Sequence, residues 1–247
     1  MISKNQLKLI NALEQKKQRK KQNLFLVQGE KNVEELLNSH FVIKQLFATP
    51  TYIAKEGTTL TQHNLNHLLV EACEEELRKA GTLQANNSVI AIAECQQQAV
   101  PTIKESELIL VLDQVGDPGN LGTIIRVADW YGIKHIICSP DCADFYNPKV
   151  IAASMGSFAR VQVSHTALAD YLATQSAPIY GAFLEGENIH KATLSQTGFI
   201  VMGSESHGIS SKTAPFINQK ITIPNFGKAE SLNVAMATGI ILDNFKR

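Results

Sequence analysis

The chain has 247 residues, a formal net charge of zero, 44% hydrophobic residues and 6% aromatic residues. This length and composition predict a globular protein of one or two domains, and the balanced charge argues against a general polyanion binder. No apolar run approaches the ~20 residues that span a bilayer, and the polar, basic N-terminus lacks the apolar segment of a secretory signal. We therefore expect a cytoplasmic protein without membrane association.

Positive charge is concentrated at the start of the chain. Residues 1–21 contain seven cations and Glu14 as the only acid, so the rest of the chain is net acidic. A basic arm of this kind can bind nucleic acid phosphates, and a solvated helix face is the alternative interpretation. The cysteines are scattered, as is typical of free thiols in a reducing compartment: Cys73, Cys95, Cys138 and Cys142.

The first part of the chain, residues 1–97, predicts a small α/β domain. Its predicted elements are a basic helix at residues 4–21, strands at 25–27, 42–47 and 89–93, and helices at 31–38 and 65–80. His63 and His67 have i, i+4 spacing, but no carboxylate signature accompanies them. They predict a solvent-facing helix, and we expect no metal site.

A polar stretch containing proline at residues 98–106 predicts a linker. Beyond it, residues 107–247 alternate between short apolar strands and helices. Strands are predicted at 109–112, 136–138, 179–183, 199–202 and 221–223, and helices at 121–130, 148–158 and 167–173. This alternation favours a mostly parallel sheet with helices on both faces.

Three polar loops follow strands in this second part. Because ligands of open α/β sheets gather at the carboxyl ends of strands, the loops predict one shared site. Each loop also has a simpler interpretation, namely an ion pair, a turn carboxylate or a helix cap. The candidate residues are Asn120 and Arg126 in the first loop and its helix, Glu205 in the second, and Ser231 and Asn233 in the third.

The third loop leads into a helix that is apolar on all sides at residues 234–242. We expect that helix to be buried, with Ser231 as its N-cap and with free backbone N–H groups that favour a bound polar ligand. Around Gly119 and Gly122 the spacing G-x-G-x-x-G is absent, and no Lys-Ser/Thr follows as a P-loop requires. Neither nucleotide-binding fingerprint is present.

Together the three loops resemble the motifs of the SpoU (TrmH-type) branch of the SPOUT RNA methyltransferases. The segments NLGTIIR, GSESHG and IPNFGKAESLNV stand where that family has N-x-G-x-x-x-R, G-x-E-x-x-G and S-L-N-V after an I-P turn. The resemblance covers roughly residue 108 to the C-terminus. In the first part, FLVQGEKNVEELL resembles the substrate-binding domain often fused to this family, a ribosomal-protein-like RNA-binding α/β/α unit.

The resemblance implies methylation of a ribose 2′-hydroxyl in RNA with S-adenosyl-L-methionine as methyl donor. It also implies a SPOUT domain with a deep trefoil knot and a homodimer built around that knot. Cofactor contacts are implied at Gly203, Ile223 and Leu232, largely through backbone groups. The catalytic group implied by the resemblance consists of Asn120, Arg126, Glu205, Ser231 and Asn233.

The role of Arg126 is left open by the sequence. The family proposal makes it the general base, but a guanidinium with a pKa above about 12 holds its proton firmly. The alternative is a bidentate grip on an RNA phosphate. Asn120 and Ser231 are expected to orient Arg126 or the hydroxyl, and Glu205 to hold Arg126 or a substrate group. Asn233 is expected to fix the knot loop.

Ribosomal RNA is the favoured substrate, because an RNA-binding domain precedes the SPOUT domain and no basic extension follows residue 247. A transfer RNA enzyme is the alternative, and from another class a catalytically silent RNA-binding protein that retains the knot. Asn225 and Phe226 stand where many relatives have a methionine and a small residue, so we expect a different wall of the cofactor cleft. Which nucleotide is modified, and whether its base is read, is left open.

Overall fold

The computed structural model describes residues 1–82 and 88–247. Its contacts divide the chain into two compact units. The N-terminal unit comprises residues 1–96 and 144–159, and the C-terminal unit comprises residues 97–143 and 160–247. The N-terminal unit thus includes a segment from the second half of the chain.

The first half of the chain contains α1 (Lys4–Ala12), α2 (Lys16–Gln22), β1 (Leu24–Gln28), α3 (Glu30–Leu37), β2 (Ile43–Ala48), α4 (Pro50–Gln62), β3 (Leu69–Glu71), α5 (Glu74–Ala80) and β4 (Val89–Glu94). The second half contains β5 (Leu108–Leu112), α6 (Pro118–Trp130), β6 (His135–Cys138), α7 (Pro148–Ser154), β7 (Gln162–His165), α8 (Leu168–Leu172), β8 (Ile179–Asn188), β9 (Gly198–Met202), β10 (Gln219–Thr222) and α9 (Val234–Lys246).

The N-terminal unit is built on a four-stranded mixed sheet in the order β1-β4-β2-β3. Strand β4 pairs antiparallel with β1 and β2, and β3 pairs parallel with β2. Helix α7 packs against β1, where the ring of Tyr146 lies 4.6 Å from that of Phe25 between centroids. The apolar core includes Ile10, Leu26 and Phe47.

The predicted single basic helix at residues 4–21 is wrong, because α1 ends at Ala12 and α2 begins at Lys16. Buried Arg19 stabilises this break: its Nη1 donates to the carbonyl oxygens of Leu13 and Glu14 at 2.8 and 2.7 Å. Its Nε and Nη2 donate to Oδ2 of Asp144 at 3.1 and 2.5 Å. The local charge pattern could not distinguish this buried cation from its exposed neighbours.

The predicted helix at residues 65–80 is also wrong. A short 3-10 turn and strand β3 occupy its first half, and only α5 is helical at its end. The whole of α4, with Thr49 as its N-cap, was missed. His63 is the C-cap of α4 and His67 lies in the 3-10 turn, so the two imidazoles do not share a helix.

The C-terminal unit is built on a six-stranded sheet in the order β10-β8-β9-β5-β6-β7. Every neighbouring pair is parallel, which confirms the predicted parallel sheet. The adjacent strands β5 and β9 are fully buried and pair Ile109 with Phe199. Strand β7 was missed, because its four residues have exposed polar ends.

Helix α9 buries one face and leaves apolar groups on the other. The buried residues are Val234, Ala235, Thr238, Ile241, Leu242 and Phe245. Met236, by contrast, is 64% exposed. The apolar sequence of α9 therefore exceeds what this single chain buries. Within the described part of the chain, no helix is both long and apolar enough to cross a bilayer.

Candidate active site at the strand ends

The first polar loop joins β5 to α6 and places Asn120 in the first turn of that helix. Pro118 occupies the start of the helix, where its missing N–H costs no hydrogen bond. Asp117 is the N-cap, and its Oδ1 accepts the backbone N–H of Asn120 at 2.8 Å. The cap fixes the direction in which the Asn120 side chain leaves the helix.

The second polar loop is a tight turn directly after β9. Ser204 and Gly208 exchange two backbone hydrogen bonds, of 3.0 and 2.9 Å, and so close the turn around Glu205. A Cβ on Gly203 would overlap the backbone of Gly208 and Ile209. Only glycine fits at residue 203, because the backbones of the two sides of the turn lie so close together there that no Cβ has room between them.

A triangle of side-chain hydrogen bonds links all three loops. Oε1 of Glu205 accepts from Nδ2 of Asn120 at 3.0 Å and from Nδ2 of Asn233 at 2.6 Å. The third side runs from Nδ2 of Asn233 to Oδ1 of Asn120 at 2.9 Å. Residues 85 and 28 positions apart in sequence therefore meet at one point. We call these three residues the amide–carboxylate triangle.

The N-cap of α9 is Asn233, which corrects the prediction of Ser231. Oδ1 of Asn233 accepts the N–H groups of Ala235 at 3.0 Å and Met236 at 3.3 Å. Glu205 Oε1 accepts the N–H of Val234 at 3.3 Å. The expectation of free N–H groups at this helix end is wrong, because side chains of the triangle already bind the N–H groups of these three residues.

Arg126 and Ser231 lie outside the triangle. Both are exposed, and in the described part of the chain neither side chain makes a hydrogen bond to another residue. Glu205 therefore holds Asn120 and Asn233, not Arg126 as one expectation had it. The exposed guanidinium of Arg126 keeps its full set of donors for a ligand.

The backbone near the predicted cofactor contacts offers polar groups for a ligand. Leu232 is exposed, and within residues 1–82 and 88–247 its N–H and C=O have no hydrogen-bond partner. Ile223 follows the end of β10 and Gly203 follows the end of β9, both on the carboxyl side of the sheet. This donor set fits a polar nucleoside ligand that is bound through backbone groups. In the described residues, no group of three or more His, Cys, Asp and Glu side chains is placed to hold a metal ion.

Sequence reasoning missed Asp113, which stabilises the same strand ends. Its buried carboxylate accepts the N–H of Ser210 at 2.8 Å, and its own N–H donates to the carbonyl of Met202 at 2.9 Å. Asp113 thus ties the end of β5 to the segments before and after the Glu205 turn. The available signal was an acid placed directly after five consecutive apolar residues.

Comparison with known families identifies this arrangement. A family model described as the SpoU rRNA Methylase family matches residues 107–243, more than half of the chain. The chain belongs to this family. A second family model, described as an MRM3-like substrate binding domain, matches residues 4–103. The SpoU match includes all the loops that carry the triangle.

Curated relatives and solved structures agree with the SpoU family. The chain is 29% identical over 246 residues to the 23S rRNA (guanosine(2553)-2′-O)-methyltransferase RlmP of Bacillus subtilis, covering 97% of this chain and 96% of that protein. A solved TrmH-family structure from Porphyromonas gingivalis has 35% identity and a TM-score of 0.87, covering 100% of this chain and 98% of its own. An AdoMet-bound rRNA methyltransferase from Sinorhizobium meliloti has 27% identity and a TM-score of 0.86, covering 99% and 96%. These findings confirm the predicted SpoU family and α/β fold.

Proposed function

We propose that the protein methylates a ribose 2′-hydroxyl in RNA, with ribosomal RNA as the favoured substrate. The observation that carries the proposal is the amide–carboxylate triangle, because it joins one residue from each of the three SpoU-type loops at the strand ends. The similarity to RlmP supports ribosomal RNA over transfer RNA. The AdoMet-bound neighbour supports S-adenosyl-L-methionine as the methyl donor.

S-adenosyl-L-methionine supplies a methyl group on a sulfonium, and the chain must position the attacking hydroxyl in line with it. We assign that positioning to the backbone at Gly203, Ile223 and Leu232 for the donor and to Arg126 for the RNA. A bidentate guanidinium–phosphate contact suits the exposed Arg126, because a guanidinium offers only hydrogen-bond donors and has no site to accept a proton.

The 2′-hydroxyl must lose its proton during attack, and we assign Glu205 as the group that accepts this proton. All three hydrogen bonds of this carboxylate converge on Oε1. Within the described residues Oε2 has no hydrogen-bond partner, so one oxygen anchors the side chain and the other is available to accept the proton. Asn120 and Asn233 then act as positioning residues, and Ser231 is assigned to the RNA side of the site.

We further propose that residues 1–97 bind the RNA substrate and that residues 107–247 form the knotted catalytic domain. Residues 98–106 are the linker between them. The exposed cations of α1 and α2 make no ion pair within the described chain: Lys4, Lys8, Lys16, Lys17, Lys20 and Lys21. Arg19 differs from them, because it is buried against Asp144. Free lysines on two consecutive helices suit contacts to RNA phosphates.

Homodimerisation and a cytoplasmic location complete the proposal. Helices α6 and α9 pack together and leave large apolar side chains in solvent, with Trp130 85% exposed and Met236 64% exposed. We infer that a second copy of the chain covers this pair of helices, since contiguous exposed apolar surface marks interaction sites. Sedimentation equilibrium of the wild type and of Trp130→Ala tests this, since a wild-type monomer contradicts the dimer.

Methyl transfer to separated RNA pools tests the function. Purified protein is incubated with methyl-labelled S-adenosyl-L-methionine and with unmodified transcripts of ribosomal or transfer RNA. We expect label in ribosomal RNA, whereas label in transfer RNA alone would redirect the substrate. If neither pool accepts label and calorimetry detects no binding of the methyl donor, the protein is a catalytically silent RNA-binding member of the family.

A further inference from the structure

The loop between β10 and α9 carries an aromatic side chain that the fold does not use. Phe226 is 93% exposed, although it lies on the same loop as Ile223, Ser231 and Leu232. A phenylalanine stabilises a fold when its ring is buried, and this exposed ring contributes almost nothing to folding. The loop that carries residues assigned to the donor and the RNA thus also presents an apolar ring to solvent.

The tip of this loop has a defined shape that keeps the ring outside. Oδ1 of Asn225 accepts the N–H of Gly227 at 2.7 Å, and Nδ2 of Asn225 donates to the carbonyl of Ala229 at 2.8 Å. One asparagine side chain therefore closes residues 225–229 into a compact turn. Phe226 and the exposed Lys228 both belong to this turn.

An exposed ring next to an exposed cation matches the chemistry of an unstacked nucleotide. Proteins recognise single-stranded or splayed RNA by stacking bases on aromatic rings, while lysines contact the phosphates. Because specific recognition of RNA mostly engages single-stranded loops, bulges and ends whose bases can be splayed out, we expect the target nucleotide to leave its stack. Its displaced base then needs a new apolar surface.

We propose that Phe226 stacks on the base of the target nucleotide and that Lys228 contacts its phosphate. This inference rests on the proposed function, because it names how the same site holds its RNA. The ring gives affinity without selecting one base, since every base has a π-face. Base identity is then read elsewhere, or not at all.

Steady-state kinetics of Phe226→Ala and Phe226→Trp in the full-length protein test the proposal. Loss of one base–aromatic stack costs about 1–3 kcal/mol, so we expect KM for RNA to rise by about 5- to 150-fold in Phe226→Ala. Phe226→Trp restores KM to near the wild-type value. The matched control is Leu184→Ala, which removes another apolar side chain that is 79% exposed in the same unit and leaves KM unchanged.

An RNA that lacks the target base identifies the stacking partner. Removing that base raises KM of the wild type, but it does not raise KM of Phe226→Ala further, because the stack is already absent. Equal, additive effects of the two changes overturn the proposal. So does a wild-type KM in Phe226→Ala.

Two other results assign Phe226 a different partner and also overturn the proposal. Weaker binding of S-adenosyl-L-methionine by Phe226→Ala in calorimetry makes the ring part of the donor site. Dissociation of a wild-type dimer in sedimentation makes it part of the subunit interface. If the wild type itself transfers no methyl group to any RNA, the proposed function fails first, which separates the two failures.

Discussion

Nδ2 of Asn233 donates a hydrogen bond of 2.6 Å to Oε1 of Glu205, and this bond joins the start of the last helix to the turn after β9. The same nitrogen also reaches Oδ1 of Asn120 at 2.9 Å. A helix cap and a site contact are therefore combined in one side chain. Stability of α9 and the geometry of the candidate site depend on the same few hydrogen bonds.

Replacing Asn233 by alanine tests that dual role. The variant loses the cap of α9, and the free energy of unfolding falls by about 1–2 kcal/mol. It also releases Asn120 and Glu205, so we expect methyl transfer to fall at least tenfold, about 1.4 kcal/mol in the barrier. The matched control is Asn147→Ala, which removes the N-cap of α7 in the other unit. The control should lose stability and keep its kcat, and equal losses of kcat in both variants contradict the assigned role.

Replacing Glu205 by glutamine tests the proton acceptor. The amide keeps the shape of the carboxyl group and one oxygen acceptor, but it cannot take a proton from the hydroxyl. We expect kcat to fall by about 10²–10⁴-fold, while calorimetry shows unchanged binding of S-adenosyl-L-methionine. Glu185→Gln, at an exposed position on β8, is the control. A kcat near the wild-type value removes Glu205 from proton transfer.

Replacing Arg126 by lysine keeps the charge and removes the planar fork of donors. We expect at least a tenfold loss of kcat/KM for RNA, about 1.4 kcal/mol, with binding of the methyl donor unchanged. The control is Arg247→Lys, at an exposed arginine outside residues 1–97 and outside the three polar loops, which should leave kcat/KM unaltered. Near-normal turnover by Arg126→Lys is incompatible with both the phosphate grip and a catalytic role.

Replacing Gly203 by alanine tests the tight turn. The new Cβ overlaps the backbone of Gly208 and Ile209, and overpacking of this kind costs about 1–3 kcal/mol. Gly116→Ala provides the matched control, because its Cβ meets no atom within 4 Å. We expect thermal unfolding to show a lower Tm for Gly203→Ala and an unchanged Tm for Gly116→Ala. We also expect Gly203→Ala to bind the methyl donor more weakly. An unchanged Tm for Gly203→Ala contradicts this prediction, because it means that the turn can widen without loss of stability.

Replacing Asp144 by alanine tests the helix break in the N-terminal unit. It leaves the buried guanidinium of Arg19 without its carboxylate, and loss of one partner of a buried pair costs about 3–5 kcal/mol. Glu30→Ala removes the partner of Lys55 in an exposed pair, for which a much smaller loss is expected. Denaturant unfolding compares the two variants. Similar losses would mean that the Arg19–Asp144 pair is no stronger than a surface pair.

The sequence predicted the central sheet of the C-terminal unit well, because β5 and β9 are short continuous apolar runs, which are typical of buried parallel strands. It also located the three polar loops, since each directly follows such a run. The SpoU resemblance named the residues that form the triangle. That these three side chains contact one another could not be predicted, because the contact depends on the strand order, which local sequence patterns do not encode.

The errors share a physical origin in contacts between residues distant in sequence. From the sequence alone, Arg19 cannot be distinguished from the exposed cations around it. Its partner Asp144 lies 125 positions away in the chain. Ser231 is an acceptable N-cap by residue type, but Asn233 takes that place because Glu205 and Asn120 hold its side chain. The short strand β3 requires β2 as its neighbour. The trefoil knot implied by the resemblance stays a prediction.

Chemical analysis of the methylated product is the most direct test of the central claim. Unmodified ribosomal RNA transcript is incubated with the protein and methyl-labelled S-adenosyl-L-methionine, digested to nucleosides and separated. We predict that the label appears in a single 2′-O-methylated nucleoside and falls at least tenfold with Asn233→Ala. Label on a base, or no label in RNA that the protein binds, contradicts a ribose methyltransferase site built on Asn120, Glu205 and Asn233.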